Sequence, residues 1–144
     1  MPKLLIFAAC EKVIIAEDDK SVSLISLLNG LSVAIAPGTQ IPANAQIPLR
    51  WSVVTLWQRE PRDEGKSYEQ RAQLILPNSE ISFSIPAEFQ LSKPLQRNVV
   101  KVTGFPVSQA GQCVLKLSLR EAGSDNQWRE IADYPIQIEH TPES

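Results

Sequence analysis

Chemistry at neutral pH starts from nucleophiles, proton acceptors and metal ligands, and this 144-residue chain holds few of them: two cysteines, Cys10 and Cys113, and one histidine, His140. A nucleophilic site needs its nucleophile beside a base that a third group orients. His140 lies near the C-terminal end, where chains commonly fray, so a Cys–His or Ser–His pair would rest on a loosely held base. There is no Gly-x-Ser-x-Gly elbow, no glycine-rich phosphate loop and no His-Glu-x-x-His. Two separated cysteines and one histidine cannot supply the four ligands zinc takes without carboxylates. The expectation is no catalytic residue, no cofactor and no metal site.

Carboxylates offer two further groupings. Glu17, Asp18 and Asp19 are adjacent and could attract calcium, but calcium takes six or more oxygens and no second acidic loop stands at a matching distance. A solvated turn is the simpler reading. Glu60, Asp63 and Glu64 are interleaved with Arg59, Arg62 and Lys66, which neutralise them, as in a polar hairpin tip. Nothing in the spacing marks the facing carboxylates of glycoside hydrolysis.

Recognition chemistry has more to work with. Indole rings supply large contact area with one donor, so Trp57 and Trp128 are candidates for a platform that takes a sugar or a peptide. Each also fits the inward parity of its segment, which favours packing. The candidate binding surface is Trp57, Arg59, Arg62, Tyr68 and Trp128.

The elements that must position these residues show a period of two, the signature of strands with one buried face. Ile81, Phe83 and Ile85 alternate with Ser82 and Ser84 up to Pro86. Cys113, Leu115, Leu117 and Leu119 alternate with Lys116, Ser118 and Arg120 before a Gly123-Ser124-Asp125-Asn126 turn. Beyond it Trp128, Ala132, Tyr134, Ile136 and Ile138 share a parity, with Glu130 and Ile131 out of pattern and Pro135 indicating an edge strand or bulge. Leu49, Trp51, Val53 and Trp57 mark a strand opened by Pro48, and Ala72, Leu74 and Leu76 mark its partner. Leu4 to Cys10 and Val100 to Val102 add two more.

Ser21 to Ala36 is ambiguous. Ser21 as N-cap, a Val22–Ile25–Leu28 stripe and Asn29-Gly30 as C-cap describe a helix. Two strands, Val22 to Leu28 and Leu31 to Ile35, describe it as well, and a lone helix this short is marginal without a face to pack on. With prolines closing many segments, the pattern is an all-β antiparallel β-sandwich of about eight strands. One domain over residues 1–140, with 141–144 as a short tail, accommodates the length.

Composition narrows the partners. At 43% apolar and 21% charged the chain is an ordinary globular one, and a formal net charge of −2 leaves no surplus cation to neutralise phosphates. Nucleic acid is not expected, and scattered basic residues give no membrane patch. No apolar run approaches the roughly 18 residues of a bilayer span. The LLIFAAC segment ends at Glu11 and Lys12, too short for a secretory signal. Cys10 and Cys113 sit among apolar neighbours as buried thiols of a reducing compartment would, while a bridge between an early and a late strand is the competing arrangement. The setting expected is cytoplasmic.

Ala9-Cys10-Glu11-Lys12-Val13-Ile14, the strand around Trp51, Gly104-Phe105-Pro106-Val107 with Ala110-Gly111, and Tyr134-Pro135-Ile136 together resemble a family of small bacterial β-sandwich proteins of unknown function. The resemblance covers nearly the whole chain and implies a fold and a bacterial setting, but no activity. Ala110-Gly111-Gln112-Cys113 is similar, more loosely, to the approach to the late strand of immunoglobulin-like domains, with Cys113 where the tyrosine of that motif would stand. Without catalytic motifs, recognition is the expected role: a non-enzymatic module that binds a protein partner or a second copy of itself. The alternative is a module that binds carbohydrate or a small molecule. The Glu60 to Lys66 hairpin, the Pro37 to Ala45 loop and the Pro135 strand are the expected contact surfaces.

Overall fold

The computed structural model describes residues 1–123 and 127–142. Ser124, Asp125 and Asn126 of the expected turn, and residues 143–144 of the expected tail, lie outside them. The described residues form nine strands: β1 (Lys3–Ile15), β2 (Val22–Leu27), β3 (Gly30–Ile35), β4 (Gln46–Gln58), β5 (Ser67–Ile75), β6 (Ile81–Gln90), β7 (Leu95–Pro106), β8 (Gly111–Glu121) and β9 (Arg129–Pro142). One sheet has the order β2-β1-β4-β7 and the other β3-β9-β8-β5-β6. The two stack as a sandwich in which the five-stranded sheet curls into a half-barrel. No helix among the described residues is long and apolar enough to cross a membrane.

The period of two sets the core. On β5, Tyr68, Gln70, Ala72 and Leu74 are buried while the residues between them are only partly covered. On β8, Cys113, Leu115, Leu117 and Leu119 face the same interior. Trp51 is 2% exposed and packs against Phe83 and Phe105 with ring centres 6.2 and 5.5 Å away. Its indole N–H donates to the carbonyl of Gly104 at 3.0 Å. That contact sits at a bulge, where the β4–β7 register shifts between Ile47 and Arg50. Gly104 meets the bulge with φ of +94°, a region L side chains seldom adopt.

Residues 21–36 are strands, but not a hairpin. β2 pairs with β1, from Cys10 opposite Leu27 to Ile15 opposite Val22. At Leu28, which is buried and donates its amide to Ala9, the chain leaves that sheet, and the Asn29 carbonyl accepts from Gln137 of the other. β3 therefore reaches β9 running in its own direction, so this one pairing is parallel where an antiparallel sandwich was expected.

The same crossing corrects the expected tail. His140, Thr141 and Pro142 are the last residues of β9, opposite Val33, Ala34 and Ile35. A strand partner orders a segment that would otherwise fray. The Nε2 of His140 lies 2.7 Å from the Val107 carbonyl, a bond for which that nitrogen carries the proton. Pro86 and Pro135 both stand where one side of the strand is free. Pro86 does not end β6, because β6 is an edge strand with one neighbour, and the strand continues to Gln90. β9 is internal, and at Pro135 it borders β8 alone, because β3 joins only from Gln137 onwards.

β1 divides its length between two partners, β4 up to Cys10 and β2 beyond it. Arg97 of β7 donates to the Lys20 carbonyl at the hairpin tip at 3.1 Å. Val22 and Leu24 accordingly meet Ile6, Val54 and Leu56 around a small apolar hollow on the outside of the four-stranded sheet. This explains why β4 is buried on both faces from Trp51 to Thr55.

Candidate functional site

The outer face of the five-stranded sheet gathers the grouping that the fold itself does not use up. Because Gln70 and Ala72 point inward, Glu69, Arg71 and Gln73 of β5 point outward, joined by Ser118 and Arg120 of β8. Arg71 stands opposite Ser118, and Glu69 opposite Arg120. Arg120 donates to Glu69 Oε2 from Nη2 at 3.1 Å and from Nε at 3.4 Å, a charge-assisted cross-strand pair.

Trp128 joins them because of a bulge. The β8–β9 register passes from Leu117 opposite Ala132 to Ser118 opposite Glu130, which leaves Ile131 as the extra residue and inverts the parity before it. The parity shared with Tyr134 would have put Trp128 in the core; the inversion carries it to the outside. There the guanidinium carbons of Arg71 and Arg120 stand 4.4 and 4.2 Å from its ring centre, within cation–π range. Ser118, in the same outward row, is 2% exposed.

Arg71 has no acidic partner among the described residues. Its Nε is buried without a hydrogen-bond acceptor, and its cross-strand neighbours are Pro86 and Ser118. Next to it Glu69, Pro86, Ala87 and Glu88 line a shallow depression at the β6 edge.

The five residues expected to form one binding surface divide between the core and the exterior. Trp57 is 0% and Tyr68 2% exposed, so neither belongs to a surface. Both pack with Phe89, Leu91, Leu117 and Leu119 in a second core cluster. The inward parity that made packing the stronger reading for Trp57 decides its position. Arg59 is partly buried, 3.9 Å from Glu64, and Arg62 is exposed in the loop between β4 and β5. That loop shares an end of the sandwich with Trp128, since Tyr68 pairs with Glu121 and the Ala122 amide bonds the Ser67 carbonyl.

Two buried polar groups were missed. Gln70, 1% exposed, accepts through Oε1 from Thr55 at 2.7 Å, Trp57 at 3.0 Å and Asn98 at 3.1 Å, which ties the two sheets together. Its inward parity with Ala72 and Leu74 was the available signal. Asp63, fully buried in the 3-10 turn Pro61–Asp63, accepts from the Tyr68 hydroxyl at 2.6 Å and the Glu60 amide at 3.1 Å, with the Met1 ammonium at 3.3 Å. Burial alone would raise its carboxyl; the bonds from Tyr68 and Glu60 and the ammonium outweigh that and hold it below the usual carboxylate range. Burial and then the Asp63 bond push the Tyr68 hydroxyl well above the usual tyrosine range.

Cys10 and Cys113 are buried free thiols. Burial raises both, Cys113 to about 11, so they stay protonated and weakly nucleophilic at neutral pH. The carboxylates of Asp18 and Asp19 accept from the amides of Asp19 and Ser21 in their own exposed turn. Among the described residues no three His, Cys, Asp or Glu side chains are grouped to hold a metal ion.

No family model matches the chain, and no curated protein matches it.

Proposed function

We propose that the chain is a non-enzymatic interaction module that binds a protein partner, or a second copy of itself, through the outer face of the five-stranded sheet around Trp128. The observation that carries this reading is the grouping of one tryptophan with two arginines on paired strands. Tryptophan and arginine are the types most enriched where binding energy concentrates, and the two arginines stand on strands, which hold them more rigidly than loops do, with Trp128 immediately before β9. A carbohydrate platform is less well supported: Trp57 is interior with its N–H bound to Gln70, and the Trp128 ring is already engaged by guanidinium groups.

The reading extends to the setting. Two buried free thiols suit a reducing bacterial cytoplasm. A net charge of −2 argues against nucleic acid and against an anionic membrane as partners. Trp51 at the centre of two stacked sheets supports kinship with immunoglobulin-like sandwiches and with the small bacterial family the sequence resembles.

Affinity capture with the wild type and with Trp128→Ala, alongside sedimentation of both purified proteins, tests the proposal. A partner or a dimer present with the wild type and lost in the variant, at equal melting temperature, is the expected result. Identical captured proteins for both, with two monomers in sedimentation, would overturn it.

A further inference from the structure

We infer that Arg71 is a receptor for a single carboxylate, and that the partner presents an acidic side chain to it beside Trp128; this rests on the interaction reading above and names the chemistry recognised. Among the described residues the Arg71 guanidinium has the Trp128 ring but no acidic partner. Arg120, on the same ring, is paired with Glu69, whereas Arg71 has Pro86 and Ser118 as cross-strand neighbours and an Nε with no acceptor. The Nε is buried, so the two Nη groups form the reachable end of the guanidinium, a planar fork that fits a carboxylate with two parallel bonds. The ring of Trp128, 4.4 Å from the guanidinium carbon, shields one side of that fork from water and strengthens an ion pair formed there.

Charge selects among anions. Glu69 and Glu88 stand opposite each other beside Arg71, and Arg120 offsets only one of them. Both acids repel any anion, but the hydration that a phosphate dianion must shed grows with the square of its charge while its attraction to Arg71 only doubles, so the site favours a monoanion. Since β6 is the edge of its sheet, an extended segment passing its border could bring a side chain over Pro86 to the fork.

Acetate is the probe, titrated at constant ionic strength against chloride, with inorganic phosphate as the second arm. The readouts are the Arg71 Nε–H and Trp128 indole N–H signals in a nitrogen–proton correlation spectrum. Both signals should shift saturably with acetate, at least fivefold more tightly than with phosphate. Arg71→Lys, which keeps the charge without the fork, should weaken acetate at least fivefold, and Arg71→Gln should abolish the shift. No saturable shift, phosphate binding as tightly as acetate, or Arg71→Lys equal to wild type would each overturn the inference. The captured partner separates the two readings. Loss with Trp128→Ala but retention with Arg71→Gln overturns the carboxylate receptor and leaves the interaction face standing; retention with both overturns the face.

Discussion

The indole N–H of Trp57 donates to Oε1 of Gln70 at 3.0 Å across the space between the two sheets. Thr55 and Asn98 donate to the same oxygen, so one glutamine from the five-stranded sheet satisfies three donors of the other. Gln70→Leu should therefore destabilise by about 2–4 kcal/mol, because buried donors left unpaired cost their full desolvation. Urea unfolding followed by tryptophan emission measures it. A loss under about 0.5 kcal/mol would mean the network contributes little beyond packing.

Asp63 gives the protein an acid-sensitive point. Its folded carboxyl lies below the unfolded reference of 3.8, so its contribution is present above about pH 4 and is lost as pH falls through the folded value. Asp63→Asn should be less stable at neutral pH and should converge with the wild type in acid. Parallel stability curves from pH 7 to pH 2 would contradict this.

Gly104 has φ of +94°, and a Cβ there would come within 2.8 Å of Gln46 Oε1. The side-chain end can swing away, but the backbone strain stays. Gly104→Ala should cost about 1–2 kcal/mol, with the double variant Gly104→Ala/Gln46→Ala no better. Full rescue by the second substitution would place the cost in the clash alone.

The thiols offer a check on the core. With Cys113 raised to about 11 and both cysteines buried, a disulfide-exchange reagent at pH 8 should label neither in the native protein and both in urea. Rapid native labelling of either would contradict their burial.

The two-sheet architecture was legible because each inward row repeats over several turns of the pleat: Leu115, Leu117 and Leu119 are all buried, as is Trp51. What escaped depended on partners far along the chain. The ordering of His140 needs β3, and the parallel direction of β3 follows from the crossing at Leu28. Trp128 could not be placed without the extra residue at Ile131, although the break in alternation at Glu130 and Ile131 was visible. Arg71 and Arg120 are 49 positions apart in sequence and become neighbours only through the β5–β8 register. Asp63 left no trace, because an acid among Arg59, Arg62 and Lys66 reads as surface until Tyr68 reaches it.

The most direct test places a photo-crosslinking residue at Ser84, exposed in the row beside Gln73 on the Trp128 face, and a control at Ile25, exposed on the opposite sheet. Irradiation in native cells should join a protein, or a second copy of this chain, to position 84 and not to position 25, and Trp128→Ala should remove that product. Crosslinks from position 25 alone, or none from position 84, would contradict the assignment of the binding face.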